Sequence, residues 1–457
     1  MRDIIIMFIV FSLLPVTVWR PWVGILLWSW LGYMNPHRLT WSFAFDFPFA
    51  QLTAIATLAG FFFYRDRKGL PINTTTVVWL LFIAWMAFTT IFALNMGEAP
   101  GELMRTAKIQ LFAFLTIFLM QTPERVKALV WVIVLSLGFF GFKGGLYTII
   151  SGSQYLVWGP AGSFIADNNA LALALIMTLP LAWFLFAQTR SRILKLGLAF
   201  LMALSCLSIL GSHSRGAALA GATMTMFLWA KSRNKLGIGL AILVLLPVFV
   251  ASMPQEWFQR METIKTYEQD ESAMGRIHAW EFAIDMANSR PIGGGYDVFV
   301  EENYRKYAPE ITAIIDKEKG RFQGPHSIYF RVLGEHGYFG LTLFLLLGFS
   351  AYFTGSYVIR RARNLPGLTW ASDLAAMLQT SLVGFAVGGA FLGLSYFDFY
   401  YHLISLLVVL RAIVDTETAK LRTGAVGESP LPIERPGLHA TRAVRPDASG
   451  SGTIPPA

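Results

Sequence analysis

Stretches of about 15 to 25 almost purely apolar residues return along nearly the whole chain, from "MRDIIIMFIVFSLLPVTVW" at the start to the run 399–414. Runs of that length match the hydrocarbon thickness of a bilayer. A backbone crossing lipid must satisfy its own hydrogen bonds, so only helices or a closed barrel can span. Continuous apolar runs, not two-residue alternation, select helices. Composition agrees: 55% of the 457 residues are hydrophobic, 14% are charged and mean hydropathy is +0.52, too apolar for a water-soluble surface. The chain therefore reads as an all-α polytopic membrane protein. Its first segment lacks a small-residue cleavage site and many more spans follow, so it is expected to stay attached. The single cysteine, Cys206, sits in "LGLAFLMALSCLSILG" and excludes an internal disulfide or a cysteine-built metal centre. It reads as a small buried apolar side chain.

Basic residues set the sidedness, because Lys and Arg are retained in cytoplasmic loops. "YRDRKG" (64–69), "TPERVK" (122–127), "QTRSRILK" (188–195), "KSRNK" (231–235), "IRRARN" (359–364) and the basic tail after Leu410 all belong inside. Paired crossings fall between them: 74–94 with 105–120, 125–150 with 168–188, 196–212 with 215–230, and 374–395 with 399–414. Runs 236–252 and 338–358 flank a hydrophilic insertion of about 80 residues from Pro254, which parity places outside. Residues 4–34 hold two short apolar runs separated by "WRPW", and an inside N-terminus requires one net crossing from them. The sum is about twelve transmembrane helices and one large helical outer loop. The end of the chain is rich in Pro, Gly, Ser and Thr and reads as disordered. The division expected is 1–160 N-terminal transmembrane region, 161–252 first part of the core, 253–337 outer loop, 338–414 last helices and 415–457 tail.

Some cations defy the charge bias. Arg105, Lys108, Lys143 and Arg215 lie in or beside apolar runs and fall toward the outer face. A charge at the centre of a spanning helix costs about 2.5 to 3.5 kcal/mol, less at an end, so such groups have a partner or a ligand. Snorkelling is the plainer account of each lysine alone. For the four together an anionic ligand at the outer surface is the sharper one.

The outer loop contains "SAMGRIHAWEFAIDMANSRPIGGGYDVF" (272–299), where Ile277, Trp280, Ile284 and Ala287 recur at helical spacing. Arg276 lies off that stripe and Arg290 follows it. The triple glycine 293–295 after Pro291 is a helix stop and tight loop, and only a weak phosphate cradle without a preceding strand. Further on, "GPHSIYFRVLGEHGYFG" (324–340) gathers two histidines and a carboxylate before an apolar run. Pro325 suits the first position of a helix, which puts His326 in the first turn, where the dipole favours neutral imidazole. A neutral histidine near pH 7 can take a proton from a hydroxyl. Glu335 and Gly337 mark the turn before the chain re-enters the membrane.

These motifs resemble a known family. "PHSIYFRVLGEHGYFG" is similar to the histidine and Glu-x-Gly-x-x-Gly signature of the O-antigen ligase and polymerase superfamily, and "SHSRGA" (212–217) to its Ser-Arg-Gly motif. "GRIHAW" (275–280) with "RPIGGGYD" resembles the arginine-containing loop helix of that family. The resemblance covers roughly residues 160–410, and the N-terminal third looks like the extension of the exosortase-associated O-glycosylation ligase branch. Ser327 stands where the motif commonly has Asn, which removes an orienting amide but not the base.

The resemblance implies a GT-C-like glycosyltransferase of the bacterial inner membrane, with its site facing the periplasm. It would move a glycan from undecaprenyl diphosphate to a hydroxyl of lipid A-core oligosaccharide, with inversion. His326 would be the base, and Arg215, Arg276, Arg105, Lys108, Lys143 and Arg290 candidate ligands of the diphosphate. No cofactor or metal is expected, since no Asp-x-Asp or histidine-carboxylate cluster lies on the outer face. Polymerase and protein O-oligosaccharyltransferase activity are the alternatives within the superfamily. A lipid-linked glycan flippase is the alternative outside it, though that would place ionisable groups near the midplane instead of at one face. Membrane lipids account for the +9 charge on loops and tail, and nucleic acid is not an expected partner.

Overall fold

The computed structural model describes residues 1–65, 69–231, 235–236, 239–240, 243, 271–317, 320–365 and 367–427. Most of the 236–252 run, the loop to residue 270 and the tail from residue 428 lie outside the described residues. Regular structure among the rest is helical: α1 (Arg2–Trp19), α2 (Pro21–Met34), α3 (Phe49–Phe63), α4 (Thr74–Ile91), α5 (Ala99–Leu119), α6 (Pro123–Ile150), α7 (Asn168–Gln188), α8 (Arg192–Gly211) and α9 (Arg215–Lys231). After them come α10 (Glu271–Ser289), α11 (Glu301–Tyr307), α12 (Pro309–Lys317), α13 (Ile328–Ala362), α14 (Thr369–Gly388) and α15 (Asp398–Gly427). Among the described residues 8 helices are long and apolar enough to cross a membrane, and α3 is a shorter apolar one. The chain is an all-helical, multi-pass membrane protein.

Residues Met1–Asp415 form one compact unit, and Thr416–Ala457 a second. Within the first, α7 and the membrane-spanning part of α15 are central, with 78% of their apolar windows buried, whereas α1 and α8 are peripheral at 17% and 22%. The loops gather at two ends. At one, Arg125 donates to the Tyr64 hydroxyl at 2.9 Å, Gln188 donates to Asp373 at 3.3 Å, and Lys127 lies over the Trp370 ring. This end holds Tyr64, Arg125, Lys127 and Gln188, from three of the segments that the charge bias assigns to one side. At the other, Leu94 N–H donates to Gly294, Val157 N–H to Gly211, and Asn168 Nδ2 to Ser212.

The first 34 residues depart from the expected single net crossing. Arg2 donates to the Leu39 carbonyl and the Ala44 N–H donates to Asp3, both at 3.3 Å, so the chain starts beside the loop that follows α2. Gly60, near the far end of α3, presses on the carbonyls of Thr17 and Val18. α1 and α2 are thus an antiparallel pair, broken at Arg20, whose φ of −129° and ψ of 82° leave the helical region before Pro21 restarts it. The tail expectation also changes at its start: α15 continues as helix to Gly427. Propagating an existing helix through "TETAKL" costs far less than nucleating one.

Small residues bring α6 and α8 together. A Cβ at Gly145 would lie 2.2 Å from the Leu204 carbonyl oxygen, and one at Gly141 would lie 2.1 Å from Ser205 Oγ. Close backbone approach through small side chains is the packing that membranes favour. It fixes where α6 delivers the loop 151–167.

Candidate functional site

At the end opposite the basic loops lies a cavity of about 460 Å³ with a mixed polar wall. Arg105 from α5, Ser163, Phe164 and Asp167 from the loop before α7, Asp297 and Phe299, Pro325 and His326, Arg331 and Glu335 from α13, and Leu392–Leu394 surround it. Residues nearly three hundred positions apart thus share one chamber.

His326 does not lie in the first turn of a helix. α13 begins at Ile328 with Ser327 at its N-cap, and His326 precedes the cap with a φ of 42°, in the left-handed region. The Trp280 indole, stacked on Phe330 with centroids 4.9 Å apart, donates to the Pro325 carbonyl at 2.7 Å. That grip holds Pro325 outside the helix and turns the histidine toward the cavity. Its side chain stays accessible there. Partial desolvation lowers its pKa below the usual 6.5, Arg276 pushes the same way, Asp167 opposes and Arg331 adds to the lowering. Neutral imidazole is therefore the form at pH 7.

Behind His326 runs a buried polar network. Arg331 Nε donates to Glu335 Oε1 at 3.1 Å, Arg331 Nη1 to the Gly393 carbonyl at 3.3 Å, and the Tyr396 hydroxyl donates to Glu335 Oε2. The same hydroxyl lies 2.8 Å from His336 Nε2, and Thr89 Oγ1 lies 2.7 Å from His336 Nδ1. His336 is fully buried and committed to these contacts. The network fixes the Arg331 guanidinium at the cavity wall. Beside it Asp297, with a φ of 56°, accepts from Asn95 Nδ2 at 2.9 Å, and burial raises its pKa against the lowering pull of Arg331.

α13 is kinked at Gly337, whose φ of 67° and ψ of −170° are open only to glycine. The kink frees carbonyls, and the glycine loop takes them: Gly294 N–H donates to Gly334 and Gly295 N–H to Glu335. Gly293 N–H donates to Arg290. The loop 293–295 is therefore a backbone clamp on α13, and the phosphate cradle entertained from the sequence has no N–H left to supply it. A Cβ at Gly293 would sit 2.6 Å from the Glu335 carbonyl oxygen, which explains the residue type.

The sequence-derived cations are dispersed around this chamber. Arg105 lines it, 4.2 Å above the Phe164 ring and 3.6 Å from Glu102. Arg276 is half-buried on α10, near enough for His326 to feel its charge. Arg215 starts α9 and does not line the cavity, although its neighbour Gly216 abuts Phe391, next to the Leu392–Leu394 wall. Arg290 donates to the carbonyls of Phe92 at 2.8 Å and Gly293 at 3.3 Å, fastening the glycine loop to the end of α4. Lys108 and Lys143 are exposed on α5 and α6, outside the lining. The α10 stripe is also differently phased: Ala279, Phe282, Ala283, Met286 and Ala287 are buried, while Ile284 is exposed. Alanines let α10 approach α13 closely, a role that a search for large apolar residues overlooks. Arg331 and Tyr396 were missed as well, though Arg331 and Glu335 stand at the i, i+4 spacing of a helical ion pair.

Comparison with known proteins adds two matches. Residues 1–211 match the model of a family of unknown function (DUF5935). Residues 199–345 match the model described as O-antigen ligase. No curated protein matches the chain. The second match holds His326, Arg331, Glu335 and the kink at Gly337, so the part of the chain that is similar to O-antigen ligases carries the histidine side of the chamber.

Proposed function

We propose that the chain is an O-antigen ligase-type glycosyltransferase of the bacterial inner membrane, with the cavity on the periplasmic side. Its donor is a glycan on undecaprenyl diphosphate and its acceptor a hydroxyl of lipid A-core oligosaccharide. The observation that carries this is His326, accessible and biased toward the free base, in one chamber with the guanidinium groups of Arg105 and Arg331. His326 takes the proton of the acceptor hydroxyl as its oxygen bonds to the anomeric carbon. The bond from that carbon to the diphosphate oxygen breaks on the opposite side, its electron pair leaves with the diphosphate, and the configuration inverts. Forked donors meet the charge that develops on the leaving group, Arg105 and Arg331 from the wall with Arg276 nearby. Arg215, one residue from the Phe391 contact, joins them if the donor extends that way. A GT-C-like arrangement of the membrane-spanning helices remains the working topology.

Purified protein incubated with undecaprenyl-diphosphate-linked O-antigen and lipid A-core tests the reading: a ladder of modified core is expected. His326→Ala should lower the rate by about 100-fold or more, and His326→Asn, which tolerates a positive φ, guards against loss of fold. Wild-type turnover in both variants would remove the base. Among the described residues no group of three or more His, Cys, Asp and Glu gathers. Arginine-only charge compensation predicts undiminished turnover in excess chelator, and abolition there would overturn it. The resemblance of the N-terminal third to the exosortase-associated branch keeps one second reading, transfer to a protein serine or threonine. A labelled polypeptide and an unmodified core in the same assay would select it.

A further inference from the structure

The segment matched only to a family of unknown function supplies Arg105, Ser163, Phe164, Asp167 and Ala170 to the chamber. Among these, Asp167 is built in most firmly. It caps α7, its Oδ1 accepting from Asn169 N at 2.6 Å and Ala170 N at 3.2 Å. The loop before it closes on itself through Gly159 N–H to the Ala166 carbonyl and Ser163 Oγ to the Pro160 carbonyl. The next residue, Asn168, is tied by its amide to the Ser212 carbonyl at 2.7 Å, and Ser153 lies 3.1 Å from His213 Nε2. So the capping contacts occupy one carboxylate oxygen, and the lone pairs of Oδ2 have no hydrogen-bond donor among the described residues.

Charge around the base is otherwise cationic. From α10 Arg276 and from α13 Arg331 act on His326, and Arg105 of α5 shares the chamber. The carboxylates there are Asp167, Asp297 and Glu335. Glu335 is consumed by Arg331 and Tyr396, and Asp297, one oxygen of which accepts from Asn95, is not among the charges that act on His326. Asp167 is the acid whose charge His326 feels.

Resting on the reading of His326 as base, we propose that Asp167 is the acceptor-binding carboxylate: Oδ2 accepts a hydrogen bond from a hydroxyl of the acceptor sugar adjacent to the one His326 deprotonates. The segment 1–211 is then a substrate-recognition wall of the transferase, and its ligand class is a polyol with neighbouring hydroxyls. The same negative charge steadies the imidazolium once the proton has moved, which a neutral side chain cannot do.

Asp167→Asn separates this role from capping, because Asn caps a helix as well as Asp does. In full-length protein with undecaprenyl-diphosphate-linked O-antigen and lipid A-core, kcat/KM for the acceptor should fall about tenfold or more with the donor KM unchanged. The acid limb of the rate profile should move to lower pH, since the carboxylate holds the histidine pKa up. Acceptor kinetics equal to wild type, or an unmoved limb, would overturn the proposal. His326→Asn run beside it distinguishes the failures: an inactive His326→Asn with a wild-type Asp167→Asn sinks only the role of Asp167, while two active variants sink the base as well. Should Asn unfold the chain, Asp167→Ser keeps the cap and carries the same test.

Discussion

The backbone of His326 decides more than its identity. With a φ of 42° outside α13, it presents an imidazole to a chamber instead of packing it into a helix turn. Because its pKa lies below the ordinary 6.5, activity that needs the free base should be level through neutral pH and fall only as pH drops through that lowered value. A limb centred above 6.5 would contradict the desolvated setting. Trp280→Phe should keep the stack on Phe330 while losing the bond to Pro325. About 1 kcal/mol of stability and a measurable part of the turnover should go with it, read by denaturant melts and initial rates. Ser327 makes the opposite point: its Oγ is buried with no partner among the described residues. Ser327→Ala should therefore leave thermal stability unchanged or raise it.

At the scale of elements, the site depends on one irregularity shared by two segments. α13 bends at Gly337, and the glycine loop 293–295 caps the carbonyls that the bend releases. A Cβ at Gly337 would lie 1.9 Å from the Pro291 carbonyl oxygen, in a φ and ψ region that costs about 1 to 3 kcal/mol for other residues. Gly337→Ala should lower the melting temperature and uncouple Arg331 and Glu335 from the cavity wall, with loss of transfer. A variant that melts like wild type would mean the kink is not held by this contact. The sequence marked the turn here and the glycines as a stop. It did not show that the two meet, because the contact is between backbones and leaves no side-chain pattern beyond glycine itself.

The whole molecule sorts its ionisable groups by end. Basic loop residues collect at one, and the chamber with His326 lies at the other. The antiparallel α1 and α2 put the chain start on the chamber end, a change from the inside start expected from parity. Cys206 is the single cysteine, so a Cys206→Ser background permits single-cysteine labelling. Ile4→Cys, at a side chain 67% exposed near the chain start, should react with an impermeant maleimide from the same side as a cysteine at Tyr155. Reaction from opposite sides would restore the single crossing. The chamber itself is a property of this scale, since its walls come from α5, the loop before α7, the loop after α10, α13 and the turn before α15.

Periodicity and charge counting by themselves determined that the chain is helical, crosses the membrane many times, and crowds unusual cations and a histidine toward one face. Those inferences rest on local quantities: run length against bilayer thickness, and the sign of loop charges. Only the tertiary structure decided which cations meet that histidine. It set Arg105 and Arg331 on the wall, spent Arg290 on carbonyls, left Lys108 and Lys143 outside, and placed Asp167 within electrostatic reach of the imidazole. Helix rotation and backbone contact at glycine govern those choices, and neither is written in hydrophobicity or spacing.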